Sequence, residues 1–182
     1  MLKSLIPKPY LTVTLVFQYG SNCSPDRLNS EDRLRGDAVS MGWAETIDNY
    51  QLKFDVWSRS NGCAAADLVC GGDFPAQGVL YEVPDNLMSR DSAPAGRRSF
   101  DAIEGDAYVR RSIAVKRRDG TIVEAQTYVV LTPQTGLLTS ADYVAHIIRG
   151  LREHGADYAY INRVRDAALR NNPTIAEQIQ QL

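Results

Sequence analysis

Two short pieces of the sequence carry residue types that can do chemistry. The first is Glu104 in "FDAIEGDAYVRR", at the end of a short helical pattern and directly before a glycine. Cations, not carboxylates, suit that end of a helix. The dipole, the flanking Asp101 and Asp106, and any inward orientation would all disfavour its charged form. A carboxylate treated that way becomes a base that works near neutral pH. An ordinary solvated surface glutamate is the competing reading of the same residues.

The second piece is "FQYGSNCSPDRL", in which an alternating apolar run ends in Tyr19, Gly20, Ser21 and Asn22. A glycine at a strand end lets the chain turn and lets a ligand approach the backbone. Amide N–H groups just ahead of a helix start are placed to hold an anion or a polarised carbonyl oxygen. The same residue types also make plain turns. Tyr128 sits on a strand face with Ile122, Glu124, Gln126 and Val130, where a core tyrosine is the default and a site tyrosine the alternative.

Other chemistries lack their residues. His146 and His154 do not have the i, i+4 spacing of paired metal ligands, and no Walker loop, dinucleotide fingerprint, Ser-His-Asp order or metal cluster occurs. No metal, nucleotide or redox cofactor is expected. Cys23, Cys63 and Cys70 are odd in number and have no C-x-x-C spacing, which suits reduced thiols in a cytoplasm.

The elements that must position these residues are readable from periodicity. Leu11, Val13, Leu15 and Phe17 alternate as a strand with one buried face, and Ser24-Pro25-Asp26 has the chemistry of a helix start. "NYQLKFDVW", "AADLVC" and "GVLYEV" read as strands. "YVRRSIAVKRRDGTIVEAQTYVVL" reads as a hairpin turning at Asp119-Gly120, where a tight turn needs positive φ angles. "SFDAIEGD" predicts a short helix with Phe100 and Ile103 inward, stopped by Gly105. "TSADYVAHIIRGLREHG" and "DYAYINRVRDAALRNNP" predict two amphipathic helices, and "TIAEQIQQL" a frayed helical tail. Strands come first and helices cluster late, the order of an α+β protein with a strongly curved sheet. One domain over 1–182 is expected, with a core at about 10–170 and a helical tail at 173–182.

Bulk composition excludes some partners. A net charge of −2 and 44% hydrophobic residues fit a soluble globular chain and argue against nucleic acid as partner. The basic clusters at Arg97-Arg98, Arg110-Arg111 and Lys116-Arg117-Arg118 lie among acidic residues and read as solvated strand ends. No run approaches the ~18 apolar residues of a membrane span, and Pro7-Lys8-Pro9 interrupts the N-terminal run that could pass for a signal peptide. A cytoplasmic chain without membrane association is expected.

Taken in order, strand–"FQYGSN", "NYQLKF", "AADLV", "GVLYEV", "FDAIEGDAYVRR", "AQTYVV" and the ending "SADYVAHIIRGLREHGADYAYI" resemble the γ-glutamylcyclotransferase family, from about Phe17 to about Asn162. The resemblance implies a small, closed or nearly closed mixed β-barrel with surrounding helices and a cavity at its mouth. It assigns the catalytic glutamate to Glu104. Substrate binding falls to Tyr19, Gly20, Ser21 and Asn22, with Gln18 as an addition, and Tyr128 becomes a substrate contact. Two departures are a cysteine after the loop asparagine and a long segment "VPDNLMSRDSAPAGRRSF", expected to alter the cavity rim.

The implied reaction is intramolecular aminolysis. The α-amine of a γ-glutamyl amino acid or amine attacks its own γ-carbonyl, closing 5-oxoproline and releasing the amine partner. Removal of a γ-glutamyl group from a larger biosynthetic amine, or a non-catalytic binding protein of the same fold, are the alternatives. The partner is then a small-molecule γ-glutamyl substrate, handled by a monomer or homodimer.

Overall fold

The computed structural model describes residues 12–182. Leu11 and the N-terminal run with Pro7-Lys8-Pro9 lie outside these residues. Six strands form one sheet: β1 Val13–Gln18, β2 Val39–Ser58, β3 Cys63–Cys70, β4 Phe74–Pro84, β5 Tyr108–Arg117 and β6 Ile122–Val130. Their order is β3-β2-β4-β1-β6-β5, and a further β2–β5 pairing closes five of them into a barrel with β3 attached outside the ring. The β1–β6 pair is parallel and the other pairs are antiparallel. The barrel expected from the resemblance is present.

Topology explains why distant pieces meet. β6 runs parallel to β1, so the C-terminal ends of both strands reach the same mouth. β5 is antiparallel to β6, with Tyr108 opposite Val130, so β5 starts there too. The loop after β1 and the helix before β5 are therefore delivered to one rim. β2 closes on β5 only at the far end, through Ala44–Arg117, Glu45–Lys116 and Thr46–Val115. Towards the mouth β2 leaves β5 and pairs with β3 instead.

At the mouth the free edge of β3 is bridged by side chains. The Tyr108 hydroxyl donates to the Ala66 carbonyl at 2.7 Å, and the Ala66 N–H donates to the Tyr143 oxygen at 3.0 Å. Buried Asp67 accepts the Leu68 and Val130 N–H groups, each at 2.8 Å. These bonds satisfy backbone groups that would otherwise be costly to bury.

Helices α1 Pro25–Leu28, α2 Phe100–Glu104, α3 Ala141–Glu153, α4 Tyr158–Asn171 and α5 Ala176–Gln180 complete the fold. Ser140 caps α3 by accepting the Tyr143 N–H, and the α3 face of Tyr143, Val144, Ile147, Ile148 and Leu151 is buried. Gly150 brings α3 against the loop after β1, because a Cβ there would lie 2.2 Å from the Cys23 carbonyl carbon. Only a glycine permits that approach.

Several sequence readings need correction. β1 does not alternate cleanly: Val13 is exposed, whereas neighbouring Val16 and Phe17 are both buried, so both faces of the strand are covered near the mouth. β6 behaves likewise, with Ile122 exposed but Tyr128 and Val130 buried on the same face. β2 begins ten residues before the "NYQLKFDVW" run, at Val39. The Ser24 side chain makes no cap bond, and α1 is a single turn after a 3-10 turn at Ser21–Cys23. In the hairpin only Gly120 takes a positive φ, Asp119 does not. The tail does not fray, since Ile175 and Ile179 are buried. No helix among the described residues is long and apolar enough to cross a membrane.

Candidate functional site

β1 ends at Gln18, and Tyr19 and Gly20 carry the chain across the barrel mouth into the 3-10 turn of Ser21–Cys23. All are buried. The Tyr19 hydroxyl donates to the Tyr128 carbonyl at 2.5 Å, tying the loop to the end of β6. The Cys23 thiol donates to the Gln18 carbonyl, and the Cys23 N–H to the Gly20 carbonyl at 2.9 Å. The loop is thus fixed by its own polar groups.

α2 brings the carboxylate. Ser99 caps the helix by accepting the Ala102 N–H, and fully buried Phe100 anchors it by stacking on Tyr128, with centroids 5.3 Å apart. Gly105 ends it with φ of 85°. Glu104 then reaches the loop, where Asn22 Nδ2 donates to its Oε1 at 3.0 Å, across 82 positions of sequence. Arg33 Nη1 donates in turn to Asn22 Oδ1 at 3.0 Å. That bond fixes which face of the Asn22 amide meets the carboxylate.

Gln18, Tyr19, Gly20, Ser21, Asn22, Glu104 and Tyr128, the seven residues singled out in the sequence, line one cavity of ≈ 30 Å³. Ala66, Tyr108 and Tyr143 complete its wall. The cup opens into a cleft of ≈ 560 Å³ that shares Ser21, Asn22, Glu104, Tyr108 and Tyr143 with it and adds Arg33, Trp57 and the turn after β2. Glu104 is ringed by protein yet keeps a partly exposed face on these cavities.

Electrostatics follow from that placement. Burial pushes the Glu104 carboxyl above its ordinary value, while hydrogen bonds from Asn22 and Gln18 and the charges of Arg33 and Arg27 pull the other way. The like-charge repulsion expected from Asp101 and Asp106 is not the cause. Asp101 accepts the Tyr128 hydroxyl at 2.7 Å and faces Arg110 at 3.8 Å, and Asp106 pairs with Arg90 at 2.7 Å. Burial and the Asp101 carboxylate together keep the Tyr128 phenol protonated. Burial likewise raises Tyr143, whose oxygen is approached by Ser21 and the Ala66 N–H.

The backbone at Gly20 differs from the expected one. Its φ of −94° is open to any residue, so it is not needed to turn the chain. A Cβ there would meet the Tyr143 hydroxyl at 3.4 Å and the Ala66 Cβ at 3.6 Å, ordinary contacts that narrow the cup without a clash. The long segment before α2 does not form the rim. Its Met88 carbonyl accepts the Asp101 N–H, and Arg97 and Arg98 bond to Leu34, Asp37, Asp32 and Ala102, so it braces α2 from behind.

Sequence reasoning missed Tyr108, Tyr143 and Arg33. Tyr143 follows the apolar period of α3 and reads as core, and Tyr108 opens a strand. Arg33 lies in a polar stretch without periodicity, and nothing in the sequence marks it.

The AIG2-like family matches residues 77–164, a span that includes Glu104, Tyr128 and Tyr143 but not the Gln18–Asn22 loop. A solved structure named gamma-glutamyl cyclotransferase superposes with a TM-score of 0.69 at 19% identity, covering 94% of this chain and 100% of that one. An uncharacterized protein from Homo sapiens gives 0.68 at 21% identity, with 84% and 86% covered. YkqA from Bacillus subtilis gives 0.68 at 18% identity, with 86% of this chain but 54% of that one. No curated protein matches the chain by sequence. The fold is the γ-glutamylcyclotransferase-like fold, as the sequence resemblance implies.

Proposed function

We propose that the protein converts a γ-glutamyl amino acid or amine to 5-oxoproline and free amine, with Glu104 as general acid and base. The observation that carries this reading is the Glu104 carboxylate itself. It is raised by burial, held by Asn22 at 3.0 Å, and faces a cup walled by the Gln18–Asn22 loop. The AIG2-like match and the fold shared with a structure named gamma-glutamyl cyclotransferase add to it.

Each step has a residue to serve it. The substrate α-amine, with a free pKa of roughly 8, is mostly protonated at neutral pH, and an unperturbed carboxylate is too weak a base to suit it. A raised Glu104 takes one proton from the ammonium. The freed nitrogen attacks the γ-carbonyl carbon, and an oxyanion forms. Glu104 returns its proton to the departing nitrogen as the carbon–nitrogen bond breaks. The second proton of the attacking nitrogen ends on the released amine as ammonium, which balances the reaction.

The cup has room for only a small polar group, since ≈ 30 Å³ is about two to three times the ~10–15 Å³ that one water needs. It would take one set of oxygens of the glutamyl unit, either the γ-carbonyl or the α-carboxylate, against the loop amides. Donors preset for an oxyanion are each worth on the order of 10²–10³ in rate. The remainder of the substrate extends into the larger cleft, where the glutamyl chain folds for ring closure.

Release of 5-oxoproline from γ-glutamyl dipeptides, compared between wild type and Glu104→Gln, tests the proposal. Glutamine keeps the shape and the acceptor for Asn22 but cannot carry a proton. Equal rates would remove Glu104 from the mechanism. If wild type binds γ-glutamyl ligands by calorimetry but releases no lactam, the chain is a binding protein on an enzyme fold.

A further inference from the structure

The cleft outside Glu104 does not end at its own walls. Through Arg33, Ser60 and Asn61 it continues into a second pocket of ≈ 310 Å³, set between α1, the Ser30–Arg33 stretch and α3. Arginines define this route: Arg59 lines the cleft, Arg33 stands at the boundary, and Arg27 and Arg149 line the bay beyond.

These cations are not used up by the fold. Among the described residues Arg33 makes no ion pair, and its bond goes to the neutral Asn22 amide although it is half-buried. Arg27 donates to the neutral Asn61 amide at 2.6 Å, and its Nε is buried without an acceptor. The charges of Glu104 and Asp32 reach Arg33, and that of Glu104 reaches Arg27, but neither acid forms a salt bridge with these arginines. Asp32 is exposed and accepts from Ser30 Oγ at 2.5 Å, Asp26 is exposed, and Asp106 of the cleft is paired with Arg90. His146 reports the field in the bay. Burial first, then Arg27, Arg149 and Arg33, push it below its ordinary value, and its Nδ1 is buried without a partner. A half-buried guanidinium with no salt-bridged carboxylate can take an anionic partner.

We infer that the amine released by this enzyme carries a distal carboxylate, beyond any group next to its nitrogen, which the arginine bay receives. The inference rests on the proposed γ-glutamyl chemistry at Glu104. Guanidinium groups bind carboxylates through paired, charge-assisted hydrogen bonds, and Arg33 joins the bay to the cleft where the departing nitrogen must lie. The same field repels an amine with a cationic end.

Three substrates of similar length decide it: γ-glutamyl-glutamate, γ-glutamyl-glutamine and γ-glutamyl-lysine linked at the lysine α-nitrogen. Lactam release at low ionic strength is expected to favour the glutamate over the isosteric glutamine by about fivefold or more, with the lysine compound slowest. The preference should shrink as salt rises. Arg149→Gln, on the exposed side of the bay, should cut kcat/KM for the glutamate compound by about two- to fivefold more than for the glutamine compound. Affinities for Glu104→Gln, measured by calorimetry, should follow the same order. Equal rates and affinities for glutamate and glutamine compounds, or an equal loss on both with Arg149→Gln, overturn the inference. If wild type releases no lactam while the affinity order and its Arg149 dependence persist, the catalytic reading falls and the bay stands.

Discussion

The cup around Glu104 and the cleft outside it share five residues but are built in opposite ways. In the cup, hydroxyls, amides and thiol are tied to backbone or to one another: Tyr19 to Tyr128, Cys23 to Gln18, Asn22 to Glu104, Tyr143 to Ala66. The side chains of the cleft and bay are more open, with Trp57 exposed at the end of β2, Arg59 on the turn after it and Arg149 on the surface of α3. A group that must be preorganised for charge development belongs in the first environment. A group that only selects among leaving amines can sit in the second, where long-range charge acts through solvent. On the proposed reading, chemistry and choice meet at Arg33, which bonds to Asn22 of the cup and, with Ser60 and Asn61, lines both cleft and bay.

The largest effect should come from breaking the cup at its base. Glu104→Gln is expected to lower kcat by about 10²–10⁴, the range of lost proton transfer, as measured by 5-oxoproline release. The same variant carries a pH signature. A carboxyl raised by folding contributes stability in full below its ordinary value of 4.5, and loses it as pH rises through the folded value. Glu104→Gln should therefore melt at or above wild type at neutral pH, with the gap closing towards pH 4.5 in paired thermal scans. The acid limb of the wild-type rate profile should lie above the usual carboxylate range.

Next in size is the support behind the loop. Gly150→Ala places a methyl 2.2 Å from the Cys23 backbone, which cannot yield as a side-chain tip would. A loss of about 1–3 kcal/mol is expected in denaturant titration, together with reduced turnover, because α3 and the loop must separate. Tyr128→Phe is a milder break. It keeps the stack on Phe100 but removes the hydroxyl from Asp101, for a cost of about 1 kcal/mol in urea titration. The smallest effect belongs outside the cup. Arg59→Gln should change kcat/KM by about fivefold or less, and only for substrates with an anionic leaving amine.

The legible part of the molecule follows the same division. Glu104 and Tyr19 to Asn22 stand out because glycine, amide, hydroxyl and carboxylate lie at element ends, where periodicity stops and local chemistry takes over. The strands and late helices stand out through their periods. The alternation of β1 and β6 misleads near the mouth, because tertiary cover, such as Phe100 of α2 on Tyr128, buries both faces there. Arg33 is illegible for another reason. Its role exists only once a residue from β1's loop and one from α2 have met, and no local pattern records that meeting.

The closure of the barrel bears on how the molecule breathes. Main-chain bonding between β2 and β5 is confined to the end opposite the mouth, from Ala44–Arg117 to Thr46–Val115. This short seam, like the β1–β6 pairing at Val16–Gln126, is where amide hydrogens should exchange early within the ring, as a local opening that stops short of global unfolding. The mouth is laced instead by tyrosine and aspartate side chains across β3, so transient unzipping at the base would leave the cup intact. Protection at Val130 and Ala66 should then outlast protection at Val115, and a sheet that opens at its base would keep its reactive end shut.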